Sequence, residues 1–202
     1  GLTDSVGNLV TGVTTSANLN TVTTEDTDIN ITVNDSAFHA TTNTATIAAA
    51  GLSAVKAKTS GTLTVSKAVK IVGSQAQLTK ALITDSITAS TSLVTINDAA
   101  YSTGNTATIA ATALSGIGGA TTGTVTLQNK VRISGQQAEV TAALIGASSV
   151  VASQTATEAV VTNEVSASQG AAISDVSKIT GIFSGGLTDS VGNLVTGVTT
   201  SA

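Results

Sequence analysis

The chain has 202 residues, a formal net charge of −4, and no Cys, Pro, Met or Trp. The absence of cysteine excludes disulfides, thiolate metal sites and cysteine nucleophiles, and the weak acidity gives no reason to expect nucleic acid or anionic lipid as a partner. Hydrophobic residues make up 41% of the chain and aromatic residues 1%, which predicts a thin stack of short elements with a small-aliphatic core. Disorder is the alternative for such a Thr/Ser/Gly/Ala-rich sequence, but a mean hydropathy of +0.36 and patterned apolar runs argue against it.

The first 17 residues return unchanged at the end of the sequence: residues 1–17 equal residues 186–202. This identity predicts a window on a longer tandem array with a period of 185 residues. An artificial tandem would give the same signature, although it would more often carry a tag or a start codon. We expect the two copies to share one conformation, and we expect covalent continuation rather than assembly of separate subunits.

The long period contains shorter and more degenerate sequence repeats, at approximately 31–93, 94–160, and 161–202 continuing into 1–30. The first two match best, and the third diverges. No run of 18 uninterrupted apolar residues occurs, so no membrane-spanning helix is predicted. The matched positions of the first two repeats are Asn34/Asn97, Asp35/Asp98, Phe38/Tyr101, Ile47/Ile109, Leu52/Leu114, Gly61/Gly123, Ile71/Ile133, Gln75/Gln137 and Leu82/Leu144.

Each sequence repeat is predicted to contain two strand-plus-helix turns. In the first repeat, the β-branched run Ile29–Val33 predicts a strand, and the Ala-rich stretch 42–55 predicts a short helix capped by Asn43. A Thr-Ser-Gly turn at 59–61 then leads into a pair of strands within 62–72.

A second short helix follows in the first repeat, because Ser74 and Gln77 stand in capping-box spacing before an apolar group. That group comprises Leu78, Ala81 and Leu82.

The second repeat predicts the same order: a strand at Val94–Ile96, a helix over 104–117 capped by Asn105, a turn at 121–123, and a closing helix. The helix over 104–117 has Ile109, Ala113 and Ile117 at i, i+4, i+8 spacing, and the closing helix contains Val140, Ala143 and Leu144.

Strands joined by helical crossovers are most easily parallel, because a short loop cannot return the chain to a parallel neighbour. Residues 1–202 are therefore expected to form one continuous α/β tandem-repeat solenoid with parallel strands and short helices. The alternative is an all-β parallel solenoid in which the segment TATIAA is a further strand.

Charged and titratable residues give no catalytic constellation. His39 is the only histidine, and its counterpart in the second repeat is Ser102, so a surface or turn position is expected. The acidic stretch Glu25-Asp26-Thr27-Asp28 could bind calcium through carboxylate oxygens, although a solvated turn is the expected outcome. The recurring pairs Asn34-Asp35 and Asn97-Asp98 are interpreted as Asx turns that end strands.

Two uncharged patterns are also candidates. The Gly-rich segment 116–123 lacks the lysine of a P-loop and the spacing of a dinucleotide fingerprint, so phosphate binding is not expected. Alternate threonines on a strand face the same way and could form a hydroxyl array that binds ice, although structural threonine is the default. The Thr-x-Thr pairs are Thr44/Thr46, Thr62/Thr64, Thr106/Thr108, Thr124/Thr126 and Thr155/Thr157.

The segments NDSA (34–37), NTATIAAAGLSAV (43–55), TSGTLTV (59–65) and ISGQQAEVTAALI (133–145) resemble the Thr/Ala/Gly-rich repeats of giant bacterial cell-surface proteins, which are frequent in cyanobacteria. The resemblance implies an exported, repetitive, non-catalytic protein of the cell surface or extracellular matrix. It brings no catalytic, cofactor-binding or metal-binding residues with it. A phage tail fibre is a further structural alternative, and an ice- or carbohydrate-binding module is the alternative from another functional class. The expected partners are further copies of the same repeat, with lateral self-association possible, and neither nucleic acid nor a membrane.

Overall fold

The computed structural model describes residues 1–42, 46–146, 150–154 and 157–190. Among these residues, two short strands lie between each helix and the next. The chain divides into two compact units, the first formed by residues 1–96 with 119–124 and the second by residues 97–118 with 125–202.

The elements of the first unit, in chain order, are β1 (Leu2–Asp4), α1 (Val6–Leu9), β2 (Val10–Thr11), β3 (Thr14–Thr15), α2 (Ala17–Glu25), β4 (Ile31–Val33), β5 (Thr46–Ala48), α3 (Ala49–Lys56), β6 (Leu63–Val65), β7 (Lys70–Gly73), α4 (Gln75–Leu78) with a π-helical continuation (Thr79–Thr84), and β8 (Leu93–Ile96). The remaining elements are β9 (Thr108–Ala110), α5 (Ala111–Gly119), β10 (Val125–Leu127), β11 (Arg132–Gly135), α6 (Gln137–Leu144), β12 (Val150–Ala152), β13 (Thr157–Val161), α7 (Ala167–Ser174) and β14 (Ile179–Phe183).

Strand pairing in the first unit is mostly parallel. The strand β4 lies between β1 and β6, and β7 lies between β5 and β8. The strands β2 and β3 form an antiparallel hairpin, and Gly12 in its turn has a φ of +61°, which glycine adopts without steric cost.

In the second unit, β11 lies between β9 and β13, β13 also pairs with β14, and β12 pairs with β10; all of these pairs are parallel. The prediction of parallel strands joined by short helices is confirmed as a mixed α/β fold. The all-β alternative is wrong, because seven α-helices form among the described residues. The segment TATIAA combines both predictions: β5 occupies its middle, and a helix starts at Ala49.

The core is aliphatic, as the composition predicts. Alternate strand residues point inward, so that Ile31 and Val33 of β4 are buried while Thr32 between them is half-exposed. The large side chains that are almost fully buried are all Leu or Ile: Leu19, Ile31, Leu52, Leu63, Ile71, Leu78, Ile96, Leu114, Ile117, Leu127, Ile133 and Ile173.

The predicted starts of the Ala-rich helices need correction. The helix α5 begins at Ala111 after the strand β9, so Asn105 lies too early to cap it. Instead, the Asn105 side chain donates to Ala100 O at 3.1 Å and accepts from Ala107 N–H at 3.3 Å, which stabilises the loop before β9. Tertiary pairing of β9 with β11 prevails over the helix propensity of this stretch. The other predicted cap, Asn43, lies outside the described residues.

The second helix of the first repeat begins as predicted. Ser74 Oγ accepts from Gln77 N–H at 3.3 Å, and Gln77 Oε1 accepts from Ser74 N–H at 2.9 Å, which completes the capping box of α4. At the start of α6, Glu139 Oε2 accepts from Gln136 N–H at 2.7 Å.

Candidate functional site

The titratable candidates lie apart and are exposed. His39 is exposed, and its Nδ1 lies 3.0 Å from Thr41 Oγ1. Glu25, Asp26 and Asp28 are exposed at the end of α2 and in the turn that follows. Among the described residues, no three His, Asp or Glu side chains come close enough together to hold a metal ion.

The Gly-rich segment 116–123 ends in a turn that fastens the chain to the segment before β8. Thr121 Oγ1 donates to Ser92 O at 2.6 Å and accepts from Gly123 N–H at 3.0 Å. A Cβ on Gly123 would collide with Ser92 O, so only glycine fits this approach. The segment is therefore a packed turn whose polar groups are used within the protein.

The same turn occurs at 59–61. Thr59 Oγ1 donates to Ile29 O at 2.7 Å and accepts from Gly61 N–H at 2.9 Å, and a Cβ on Gly61 would collide with Asp28 O. Thr59 and Thr121 are both buried. We call this arrangement of threonine and glycine at 59–61 and 121–123 the Thr-x-Gly clamp.

Serine and threonine also continue the hydrogen-bond ladder beyond the ends of the strands. Ser66 donates to Val33 O through both its N–H, at 3.0 Å, and its Oγ, at 3.1 Å. Many of the hydroxyls of this sequence are thus used to bind neighbouring backbone. The same two-donor contact joins Ser153 to Leu127 O, Thr162 to Gly135 O, and Ser184 to Val161 O.

Side-chain oxygens from one strand end cap the helix that follows the neighbouring strand. Asp35 Oδ2 accepts from Val6 N–H, in the first turn of α1, at 2.7 Å. Asn163 Oδ1 accepts from Gln137 N–H, in the first turn of α6, at 2.7 Å. The Asp35 carboxylate thus stabilises a helix N-terminus 29 residues away in the sequence, a contact that the Asx-turn interpretation did not include.

The structure places four threonines in one column that the sequence analysis did not find. Thr32 pairs in register with Thr3 on one side and with Thr64 on the other, and Thr64 forms a further parallel bridge to Thr88. All four are exposed or half-exposed, and Thr32, Thr64 and Thr88 each lie between two buried residues. Thr32, Thr64 and Thr88 share an apolar-Thr-apolar triplet, whereas the Thr-x-Thr pattern includes only Thr64 of the four.

The predicted Thr-x-Thr pairs do not form one array. Thr157 is fully buried, whereas Thr62, Thr106, Thr108 and Thr124 are exposed. Thr44 and Thr155 lie outside the described residues.

A groove of about 360 Å³ lies beside β1. It mixes aliphatic and uncharged polar side chains with a single carboxylate, and no nucleophile–base pair lines it. The lining residues are Leu2, Asp4, Asn8, Leu9, Ser16, Asn18, Leu19 and Val22.

Two aromatic residues carry cations on their faces. The Lys70 ammonium lies 5.4 Å from the ring centroid of Phe38, and the Arg132 guanidinium lies 4.2 Å from that of Tyr101. Arg132 also pairs with Glu158 at 2.6 Å. These contacts are matched between the first two sequence repeats and stabilise the loops that carry the rings.

Comparison of the chain with protein-family models, with curated proteins and with solved structures finds no match. In the part of the chain that the structure describes, no helix is long and apolar enough to cross a membrane.

Proposed function

We propose that this chain is a non-catalytic structural repeat of a giant extracellular filament or cell-surface fibre, which acts as a scaffold in adhesion, spacing or motility. The observation that carries the proposal is the use of the polar side chains. In both structural units, hydroxyl and carboxylate groups bind the backbone of a neighbouring strand or helix, as Thr59, Ser66 and Asp35 do. Such contacts hold neighbouring strands and helices together, and they leave few hydroxyl and carboxylate groups to bind or react with a substrate.

The finer architecture in this proposal is an α/β solenoid of equivalent 185-residue periods. Parallel pairing between successive strands and the return of residues 1–17 as 186–202 support it. In a solenoid each layer contacts mainly its neighbours, so stability grows with the number of layers. The partners are then further copies of the same repeat along the chain, with lateral association of fibres as an additional contact.

The fibre proposal is tested first by length. Chains with one and three periods are compared by thermal and urea unfolding and by electron microscopy. We expect the three-period chain to unfold at a higher midpoint and to form rods about three times as long, because nearest-neighbour interfaces add up. Equal midpoints, or compact particles of unchanged length, would overturn the filament proposal.

The surface location is tested separately, with antibodies against the exposed segment Glu25–Asp28 applied to intact and permeabilised cells. Labelling of intact cells is expected, and labelling only after permeabilisation would contradict the extracellular role.

A second candidate is an ice- or carbohydrate-binding module, which the four-threonine column favours. Strand spacing in a sheet is about 4.8 Å, so Thr3, Thr32, Thr64 and Thr88 present hydroxyls at regular intervals. Thermal hysteresis and recrystallisation of ice are compared for the wild-type chain and for Thr32→Lys with Thr64→Lys. Ice activity that these changes abolish would establish this candidate, and its absence would leave the column as a structural feature of the sheet.

A further inference from the structure

The segment Gly1–Ser5 occurs again as Gly186–Ser190, and the structure describes both copies. In each copy the aspartate accepts a hydrogen bond from the next serine through Oδ1, at 2.8 Å for Asp4 and 2.7 Å for Asp189. The local conformation at the aspartate therefore matches. The rest of the second copy, residues 191–202, lies outside the described residues, so the prediction of full equivalence stays a prediction.

The segment Gly186–Ser190 pairs with a residue that precedes it in the chain. Leu187 forms a parallel bridge with Val165. Val165 N–H donates to Gly186 O at 3.2 Å, and Thr188 N–H donates to Val165 O at 2.9 Å.

Two further contacts fix this pairing. Asp189 Oδ2 accepts from Ala167 N–H, at the first position of α7, at 3.3 Å. Gly170 lies so close to Leu187 that a Cβ on it would be 3.2 Å from Leu187 Cδ2. We call Val165, Ala167 and Gly170 the acceptor surface, because together they bind the sequence Gly-Leu-Thr-Asp-Ser.

The first copy uses its opposite edge. Leu2 N–H donates to Asn30 O at 2.8 Å, and Asp4 O accepts from Asn34 N–H at 3.0 Å, so both residues direct their backbone groups towards β4. Backbone groups alternate sides along a parallel strand, so the N–H of Thr3 points away from β4. Thr3 is the counterpart of Thr188, whose N–H binds Val165 in the second copy.

The groove beside β1 lies on the same part of the first copy, since Leu2 and Asp4 line it. In the second copy, the equivalents of these two residues, Leu187 and Asp189, contact α7. The groove is thus where a helix equivalent to α7 would lie. Six of the eight residues of α7 are Ala, Ser or Gly, which allows its backbone to approach a neighbouring surface closely.

We propose that the edge of β1 that faces away from β4, with this groove, binds the acceptor surface of another molecule of this chain. Val165 of the other molecule lies opposite Leu2, and the Val165 carbonyl accepts from Thr3 N–H. Asp4 Oδ2 accepts from Ala167 N–H of the other molecule, as the Asp35 and Asp189 carboxylates accept from helix N–H groups within the chain.

Another molecule of this chain is the occupant, because the acceptor surface of each molecule already binds the same five-residue sequence, Gly186–Ser190, internally. In the wild-type chain that surface is filled by the molecule's own Gly186–Ser190, and an intramolecular contact prevails at ordinary concentrations because its effective concentration is high. Docking of another copy therefore requires that the internal segment be displaced. The inference deepens the proposed function by naming the contact between copies, and it rests on that proposal only for its biological use.

The test uses one substitution in two identical sequence contexts of the full chain. Thr188→Pro removes the N–H that binds Val165, and it should free the acceptor surface. Thr3→Pro removes the N–H that points away from β4, which an edge strand tolerates because no bond to β4 is lost. Masses are measured by analytical ultracentrifugation, and folding by circular dichroism.

We expect the wild-type chain and Thr3→Pro to be monomeric at micromolar concentration. Thr188→Pro should associate, with a weight-average mass that rises about two-fold or more with concentration. The double variant Thr3→Pro/Thr188→Pro should be monomeric again. A folded but monomeric Thr188→Pro, or a double variant that associates as strongly as Thr188→Pro, would overturn the proposal.

Leu187→Asp is the second means of freeing the acceptor surface, because it removes the side chain that packs on Gly170. Its matched control is Ile145→Asp, since Leu187 and Ile145 are 39% and 43% exposed. Association of Leu187→Asp alone, and its suppression by Thr3→Pro, is expected; association of both Asp variants would mean non-specific aggregation and would count against the proposal. Failure here would leave the tests of rod length and cell-surface labelling unaffected, so the two proposals can fail separately.

Discussion

The Thr-x-Gly clamps at 59–61 and 121–123 make the same backbone contacts at two places in the molecule. Both use a buried threonine hydroxyl that donates to a carbonyl about 30 residues earlier and accepts from the glycine N–H. Threonine and glycine are identical in the two clamps, whereas the residue between them changes from Ser60 to Thr122. That middle residue still donates through its hydroxyl, at 3.2 Å to Thr27 O and at 2.9 Å to Ser90 O.

The aromatic–cation pairs of the same two repeats vary more. Phe38 with Lys70 becomes Tyr101 with Arg132, and the distance to the ring centroid falls from 5.4 Å to 4.2 Å. These side chains lie on exposed or half-exposed surfaces, where several cations and rings can make the contact. The threonine and glycine packed against neighbouring backbone are therefore identical in the two repeats, whereas the half-exposed rings and cations are replaced by chemically similar ones.

The helices that follow β7 and β11 also differ. The helix α4 continues as a π-helix, and Asp85 N–H donates to Lys80 O at 2.7 Å while the two side chains form an ion pair at 2.8 Å. The matched helix α6 has Ala142 in place of Lys80 and remains α-helical to Leu144. A wider turn brings residues i and i+5 together, so this ion pair fits the π-helix and not its counterpart.

The largest expected effect is that of Gly123→Ala. A Cβ there would collide with the backbone at Ser92, so we expect a loss of about 3 kcal/mol in the free energy of unfolding. Urea unfolding measures it, with Gly104→Ala as the control, because nothing lies within 4 Å of a Cβ on Gly104. Gly61→Ala should lose a similar free energy of unfolding. If the loss for one variant were less than about half of the loss for the other, the two clamps would not be equivalent.

The next effect concerns the clamp hydroxyl. Thr121→Val keeps the shape of the side chain but leaves Ser92 O without this donor and Gly123 N–H without this acceptor, so we expect a loss of about 1–3 kcal/mol. Thr121→Ser, which keeps the hydroxyl, should lose clearly less than Thr121→Val. Thr88→Val, on the exposed column, is the control and should be nearly neutral. Equal losses for the valine and serine variants would show that packing of the methyl group, and not the hydroxyl, holds the clamp.

A smaller effect is expected at the helix cap. Asp35→Ala removes the acceptor for Val6 N–H and should cost about 1 kcal/mol in unfolding free energy. Asp35→Asn retains an oxygen acceptor, as Asn163 does for α6, and should recover most of this loss. Asp28→Ala, at an exposed position, is the matched control, and a loss at Asp28 as large as that at Asp35 would contradict the capping role.

The smallest expected effect is the difference in coupling energy between the two aromatic–cation pairs. Double-mutant cycles for Tyr101→Leu with Arg132→Met, and for Phe38→Leu with Lys70→Met, measure the coupling within each pair. We expect about 0.5–1 kcal/mol for the first cycle and less for the second, because the first cation lies closer to its ring. The cycle is needed because Arg132 also pairs with Glu158. A larger coupling in the Phe38–Lys70 cycle would contradict the ranking by distance.

The sequence by itself determined the local elements whose causes are local. The capping residues Ser74 and Gln77 place the start of α4, and alternating β-branched residues place β4 and β6, because these signals act within a few residues. The parallel arrangement also followed from the sequence, since strands separated by helices cannot be returned by a tight turn.

Only the tertiary structure decided which strands pair in which register, and with them the polar contacts between layers. Asp35 caps α1 and Thr121 binds Ser92 O across about 30 residues, and neither contact leaves a spacing that a local pattern could detect. The stretch before α5 became the strand β9 because β11 offered it a ladder of hydrogen bonds, which outweighs the helix propensity of alanine. The column formed by Thr3, Thr32, Thr64 and Thr88 exists for the same reason: a parallel register stacks equivalent positions, and register is a property of the folded sheet rather than of any one segment.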